Sequence, residues 1–183
     1  MVHEQQHLLH CALHATNNVL QGKHGPRYTV GDFAAIAAAL NHTAPDGARF
    51  FNPHCSVFGS ALGDWGIEVI TAALHKRGLA LMHYVARPPP SLIGFIVNRP
   101  PPPSFLGYWG SNHWVAYAPL AGVWHDLDSK LPAPRRMGAA GTLAEVLAVL
   151  AGEPLGSQVL AVCAAAPLAA PAAAAPRGQL GVE

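Results

Sequence analysis

The chain has 183 residues, of which 51% are hydrophobic and only 11% are charged. That length suits one domain with a substantial apolar core. Lys and Arg number 11 and Asp and Glu number 10, giving a formal net charge of +1. No basic surface is therefore expected, and neither nucleic acid nor an anionic membrane is predicted as a partner.

The sequence predicts a protein without a membrane span in a reducing compartment. Its start, "MVHEQQHLLHC", lacks the basic segment and apolar run of a secretory signal. The Ala-rich stretch 159–175 contains prolines and falls short of the ~20 strongly apolar residues that a spanning helix needs. Cys11, Cys55 and Cys163 are an odd number without framework spacing, which favours free thiols. We expect a cytoplasmic monomer that can also occur in the nucleus.

Two helices are predicted near the start of the chain. The first begins at Cys11 and runs to about Gln21, where Gly22 closes it. The second, "TVGDFAAIAAALNH", begins with Thr29 three residues before Asp32. That spacing resembles a capping box with Asp in place of Glu.

A third predicted helix precedes a region of short strands. The helix "DWGIEVITAALHKRG" has Asp64 as its expected N-cap and ends at the glycine Gly78. From Leu79 the pattern changes to short β-like runs, with one more helix, "TLAEVLAVLAG", before the last run. The runs are "LALMHYV", "LIGFIVN", "HWVAYAP", "GVWHDLD" and "SQVLAVCA".

Helices followed by strands predict an α+β domain, with N-terminal helices packed on a C-terminal, mainly antiparallel sheet. Two proline clusters, 88–90 and 100–103, make the flanks of the "LIGFIVN" strand loops. The composition predicts one domain over residues 1–163. Residues 164–183 are rich in Ala and Pro, and we expect them to form a disordered tail.

Cys11 is the first candidate for chemistry. At the start of a helix, a thiol lies at the positive end of the macrodipole, which favours the reactive thiolate. The alternative is that Cys11 is a small buried hydrophobe, as free cysteines usually are. A nucleophile also needs a base and a group that orients the base.

Those two groups are predicted in the hairpin "SNHWVAYAPLAGVWHDLDSKL". A turn at residues 120–121 places His113 directly opposite Asp128, and a turn at 121–122 makes them diagonal neighbours. In both registers the side chains share one face, with Cβ atoms about 5–8 Å apart. Asp126 shares that face and is the alternative orienting group. Cys, then His, then a carboxylate is the papain-type order along the chain. The alternative is that His113 and Asp128 are only a cross-strand polar pair at the rim of the sheet.

A metal site is the rival interpretation of the N-terminal histidines. His3, His7, His10 and His14 would line one stripe of a continuous helix, and imidazole suits zinc or copper. However, "MVHEQQ" is a poor helix start, and no second ligand cluster of the CxxC type follows. We expect no metal and no organic cofactor.

Several segments together resemble one known family. "HEQQHLLHCALHATNNVLQG" is similar to the opening of a Josephin domain, and "FNPHCSVFGSALGDWGIEVITAALHKRGL", "NHWVA" and "HDLDSKLPAP" match further segments in the same order. The short stand-alone Josephin proteins are the nearest likeness. The resemblance implies a papain-like cysteine protease fold that cleaves ubiquitin from proteins or from other ubiquitins. Its implied partners are ubiquitin, ubiquitin chains and ubiquitinated proteins.

The resemblance also implies roles for individual residues. The family nucleophile falls on Cys11, the general base on His113 and the third member on Asp128, where relatives carry Asn or Asp. The oxyanion-stabilising glutamine falls on Gln6. A side-chain amide at that position, together with the Cys11 N–H, can donate to a tetrahedral oxyanion.

Two residues near this set have open interpretations, and two more are interpreted as structural. Trp114 lines the substrate channel or belongs to the core, and His14 modulates the thiolate and binds substrate or packs at the site rim. Asn17 and Asn18 are interpreted as structural residues that bond loops near the helix.

Three functions remain in competition. The first is a cysteine-dependent deubiquitinase that cleaves peptide and isopeptide bonds at the C-terminus of ubiquitin. The second is a catalytically weak module of the same fold that binds ubiquitin, and the third is a papain-like hydrolase of another small protein or amide. All four catalytic positions hold competent residues, so the enzyme is the leading prediction.

Overall fold

The computed structural model describes residues 2–6, 10–42, 65–84, 87–101 and 112–165. These residues form four helices and six strands. The helices are α1 (Cys11–Leu20), α2 (Val30–His42), α3 (Ile67–His75) and α4 (Leu143–Ala151). The strands are β1 (Leu79–His83), β2 (Leu92–Arg99), β3 (His113–Leu120), β4 (Val123–Asp126), β5 (Arg135–Arg136) and β6 (Gln158–Ala164).

The strands form one antiparallel sheet in the order β1-β6-β2-β3-β4-β5. Because side chains alternate along a strand, β2, β3 and β6 each contribute to two apolar clusters. One cluster joins the sheet to α1, α2 and α3, and the other joins it to α4. The predicted α+β architecture, with helices packed on an antiparallel sheet, is confirmed.

The first two helices begin as the sequence predicts. α1 starts at Cys11, and its C-cap Gln21 has a φ of 51°, which ends the helix just before Gly22. At α2, the Thr29 N–H donates to Asp32 Oδ2 over 2.7 Å, and the Asp32 N–H donates to Thr29 Oγ1 over 3.2 Å. The predicted capping box is therefore confirmed.

The predicted start of α3 is wrong. The helix begins at Ile67, with Gly66 and not Asp64 as its N-cap. Trp65 is buried between His10, on which it stacks, and the edge-on ring of Phe33. The backbone stays extended to bring the indole into the core, with ψ at Gly66 of 175°, so the helix begins only after it.

The β3–β4 hairpin turns at residues 121–122. Ala121 and Gly122 both have positive φ, 50° and 83°, and Leu120 pairs with Val123. Such a two-residue turn matches the right-handed twist of the strands it joins. Of the two predicted registers, the structure has the one in which His113 and Asp128 are diagonal neighbours.

Two features of the later strands were not predicted from the sequence. β5, only two residues long, was not predicted. β6 runs to Ala164, and the Ala165 N–H donates to the Gly78 carbonyl, so the sheet extends past the predicted boundary at residue 163. The rest of the predicted tail, Cys55 and the predicted N-cap Asp64 lie outside the described residues.

Candidate active site

Cys11 lies at the first turn of α1, where the helix packs on β3. The residue is 4% exposed, and its Sγ is 3.9 Å from the backbone carbonyl oxygen of Asn112. Asn112 directly precedes His113, the first residue of β3. The thiol therefore lies at the end of the strand that carries His113, at the positive end of a helix dipole that favours a thiolate.

His113 and Asp128 make a direct hydrogen bond. His113 Nε2 is 2.7 Å from Asp128 Oδ1, which also accepts the Lys130 N–H over 2.9 Å. Burial raises the pKa of Asp128, but the hydrogen bonds from His113 and Lys130 and the nearby charges of His113 and Arg99 hold it below the ordinary value. Because an ionised carboxylate only accepts hydrogen bonds, the proton of this bond belongs to Nε2, and the neutral ring has Nδ1 unprotonated.

Asp126, the alternative orienting group, has a different position in the network. Its side chain is 1% exposed; Oδ1 accepts the Asp128 N–H over 2.9 Å, and Oδ2 pairs with Arg135 at 2.6 Å. The hydrogen bond to His113 is made by Asp128. Asp126 therefore supports the backbone from which Asp128 extends.

Gln6 lies beside the loop that follows Asp128. Its N–H donates to the Ser129 carbonyl over 2.8 Å, and Ser129 Oγ lies 3.5 Å from Gln6 Oε1. Residues 7–9, which join Gln6 to His10, lie outside the described part of the chain. An open groove runs along this contact, lined by Gln5, Gln6, Ser129, Lys130, Leu131 and Pro132.

The segment 2–6, here called the N-terminal strap, is held against α1 by the buried amide of Asn18 and the half-buried amide of Gln21. Asn18 accepts the Glu4 N–H over 2.7 Å and donates to the Glu4 carbonyl and to the Leu127 carbonyl, at 3.3 and 2.9 Å. Gln21 makes the same pair of bonds with the Val2 backbone. The strap, α1 and the residue before Asp128 are thus tied together by side-chain amides.

Asn17 is structural in the way the sequence suggests. Its Oδ1 accepts the Tyr28 N–H over 2.8 Å and its Nδ2 donates to the Tyr28 carbonyl over 2.9 Å. Together with the bonds of Asn18, these contacts confirm that both asparagines bond loops near the helix. Local sequence did not single out Glu4. Its carboxylate accepts hydrogen bonds from Asn17 Nδ2 and lies 3.6 Å from Arg27 Nη1.

Neither His14 nor Trp114 is among the residues that line the open groove. His14 is buried on α1, and its Nδ1 is 2.9 Å from Glu4 Oε2. Trp114 is 4% exposed and belongs to the core between α1 and the sheet. This burial favours packing roles for both, and their predicted contact with substrate stays a prediction.

Each of the described N-terminal histidines contacts a different group of the protein. His3 Nε2 is 3.0 Å from the Leu131 carbonyl, His10 stacks on Trp65, and His14 contacts Glu4. Because α1 starts only at Cys11, these histidines do not form a stripe on one helix. Within the described ranges, no cluster of three or more His, Cys, Asp or Glu side chains could hold a metal ion, and no helix is long and apolar enough to cross a membrane.

Comparison with known proteins identifies relatives over most of the chain. The family model described as Josephin matches residues 5–162. A human protein named Josephin-2 is 36% identical over 170 residues, covering 87% of this chain and 85% of that protein. A Josephin-like protein of Drosophila melanogaster is 32% identical over 158 residues, covering 80% of this chain and 66% of that protein. The chain therefore belongs to the Josephin family, whose fold is of the cysteine protease and deubiquitinase type.

Proposed function

We propose that this protein is a cysteine-dependent deubiquitinase that hydrolyses peptide and isopeptide bonds at the C-terminus of ubiquitin. The observation that carries the proposal is the 2.7 Å hydrogen bond between His113 and Asp128, at the end of β3 where the Cys11 thiol lies. Membership of the Josephin family supports the substrate class.

In this proposal Cys11 is the nucleophile, His113 the general base and acid, and Asp128 the group that orients the ring. With Nε2 bonded to Asp128, Nδ1 exchanges the proton with the thiol. The thiolate attacks the carbonyl carbon of the terminal glycine of ubiquitin, and the Gln6 amide and backbone N–H groups stabilise the oxyanion.

Collapse of the tetrahedral intermediate breaks the C–N bond, and the His113 imidazolium protonates the departing lysine amine. The acyl group is then held on Cys11 as a thioester. Water attacks this thioester as His113 takes its proton, the C–S bond breaks, and free ubiquitin leaves with the thiolate restored. No metal or cofactor takes part in these steps.

The test is labelling with ubiquitin that carries a thiol-reactive group at its C-terminus. We expect a covalent adduct whose attachment site, located by peptide mass spectrometry, is Cys11. The variants Cys11→Ala and His113→Ala are expected to abolish labelling and hydrolysis of a ubiquitin conjugate. Cys163→Ala is the matched control, because that thiol is buried in β6 and should leave labelling unchanged.

Two outcomes would replace this proposal. A correctly folded wild-type protein that binds ubiquitin but forms no adduct would be a binding module of the same fold. A protein whose Cys11 reacts with a general alkylating reagent, and which cleaves another small protein or amide instead of ubiquitin, would be a papain-like hydrolase of different specificity.

A further inference from the structure

Asp128 has a second charged partner besides His113. Arg99 Nη1 lies 3.8 Å from Asp128 Oδ2, the oxygen opposite the one that bonds His113. In the sheet, Arg99 at the end of β2 is the direct cross-strand partner of His113 at the start of β3. Each oxygen of the Asp128 carboxylate therefore faces one charged or chargeable side chain.

Arg99 is held in place from behind by a buried carboxylate. Its Nε and Nη2 donate to the two oxygens of Glu153 at 2.8 and 2.6 Å, and the Glu153 side chain is only 5% exposed. Nη2 also donates to the Tyr117 hydroxyl. Such a two-pronged pair fixes the plane of the guanidinium, so the remaining Nη1 is aimed at Asp128.

Among the charged groups at this end of the sheet, Arg99 is the arginine that contacts Asp128. Besides His113, the Asp128 carboxylate contacts Arg99 from β2 and the backbone N–H of Lys130. The Asp126 carboxylate on β4 accepts the backbone N–H of Asp128 and is paired with Arg135. Arg135 pairs with Asp126, so Arg99 is the arginine that contacts both Asp128 and Glu153. Without Arg99, both of these carboxylates would lose that cation. Like charges in a poorly solvated site favour protonation of a carboxyl group, and a protonated Asp128 is a weaker acceptor for His113.

We propose that Arg99, anchored by Glu153 and Tyr117, is a positioning residue that holds Asp128 ionised and oriented toward His113. This inference rests on the proposed function only for its kinetic test. Arg99 acts through the charge of Asp128, so it is needed when the third member of the site is Asp and loses its role when that member is Asn. An Asn at this position still accepts a hydrogen bond from His113 through its oxygen. Its NH2 group then faces the Arg99 guanidinium, and the two cannot hydrogen-bond because both are donors.

The kinetic test is a double-mutant cycle on Arg99 and Asp128. Arg99→Gln is expected to lower kcat for a ubiquitin conjugate about tenfold, with KM changed by less than about twofold. In the Asp128→Asn background, the same Arg99→Gln change should alter kcat by less than about twofold or raise it. Arg136→Gln, on the exposed β5, is the matched control and should leave kcat unchanged in both backgrounds.

A second measurement needs no activity. The Asp128 carboxyl carbon is titrated by NMR in Cys11→Ala protein, where Arg99→Gln should raise the pKa of Asp128 and Arg136→Gln should not. Since Arg99→Gln leaves Glu153 buried without its cation, the variant Arg99→Gln/Glu153→Gln is measured as well. This double variant removes both charges of the pair, and we expect circular dichroism to show that it remains folded. It should also raise the pKa of Asp128, because Arg99 contacts Asp128 directly and Glu153 lies behind the guanidinium.

An equal loss of kcat from Arg99→Gln in the wild-type and Asp128→Asn backgrounds would overturn the inference, since Arg99 would then act independently of the Asp128 charge. An unchanged pKa of Asp128 in both Arg99 variants would overturn it as well. If the wild-type protein does not cleave ubiquitin conjugates, the proposed function fails, and the titration still decides whether Arg99 controls the charge of Asp128.

Discussion

The side chain of Asn18 holds the backbone of Glu4 at both its N–H and its carbonyl oxygen, at 2.7 and 3.3 Å. The same amide donates to the carbonyl of Leu127, the residue before Asp128. One side chain on α1 thus ties the N-terminal strap, which carries Gln6, to the segment after β4, which carries Asp128.

Asn18→Ala is therefore expected to lower both stability and activity. The change leaves buried backbone groups of Glu4 and Leu127 without their partner, which typically costs about 2–3 kcal/mol in the free energy of unfolding. Release of the strap also moves Gln6, so kcat should fall more than KM rises. Urea unfolding and hydrolysis of a ubiquitin conjugate measure the two effects. Gln21→Ala, at the outer end of the strap, is the control and should show a smaller loss of both; equal losses would contradict a special role for Asn18.

The assignment of Asp128 rather than Asp126 as the orienting group gives a second prediction. Asp128→Ala should lower kcat/KM by about 100-fold or more, because the ring loses the acceptor that fixes its tautomer. Asp126→Asn keeps an acceptor oxygen for the Asp128 N–H and should cost activity far less. Steady-state kinetics on the two purified variants check this. A larger loss in Asp126→Asn than in Asp128→Ala would reassign the role to Asp126.

The third prediction concerns the effect of a side chain at Gly94 on stability. A Cβ at this position would lie 2.5 Å from the Tyr117 carbonyl oxygen and 2.6 Å from Val19 Cγ2, where β2 meets both β3 and α1. Gly94→Ala should lower the free energy of unfolding by about 1–3 kcal/mol through overpacking. Gly31→Ala, in the first turn of α2 with only Thr29 Oγ1 near at 3.7 Å, should leave stability unchanged or raise it. Similar effects of both changes would exclude steric crowding as the cause.

The capping box of α4 predicts a pH dependence of stability. Backbone hydrogen bonds, first from Thr142 and then from Ala140, lower the pKa of Glu145 from 4.5 to about 2. Because the folded-state pKa lies below the unfolded value, the stabilisation is complete above about pH 4.5 and is lost as the pH falls toward 2. In urea unfolding, the stability difference between wild type and Glu145→Gln should shrink over that range.

Thr142→Ala distinguishes the contribution of the Glu145 carboxylate from that of the threonine side chain. It removes the Oγ1 acceptor of the Glu145 N–H, at 3.3 Å, and should cost about 1 kcal/mol at every pH. The carboxylate still accepts backbone N–H groups in this variant, so most of the acid dependence should persist. A Thr142→Ala protein without that dependence would mean that the threonine side chain, and not the backbone, holds the carboxylate.

Local sequence signals were sufficient where a feature depends on neighbouring residues. The capping pair Thr29 and Asp32 follows from a spacing of three residues, and the shared face of His113 and Asp128 follows from strand alternation. The helical run that begins at Cys11 and the glycine that closes it were also readable from the sequence. The start of α3 did not follow, because the burial of Trp65 against His10 and Phe33 overrides the capping preference of the preceding residues.

The sequence by itself determined the class of the domain and its family resemblance, and it supplied the candidate residues of the proposed thiol chemistry, because these are recorded in residue type and short-range order. Only the tertiary structure decided the hairpin register, the insertion of β6 between β1 and β2, and the networks of Asn18 and Arg99. Asn18 bonds a residue 109 positions away, and Arg99 pairs with a residue 54 positions away. Contacts over such separations are chosen by packing of the whole chain, which no local pattern records.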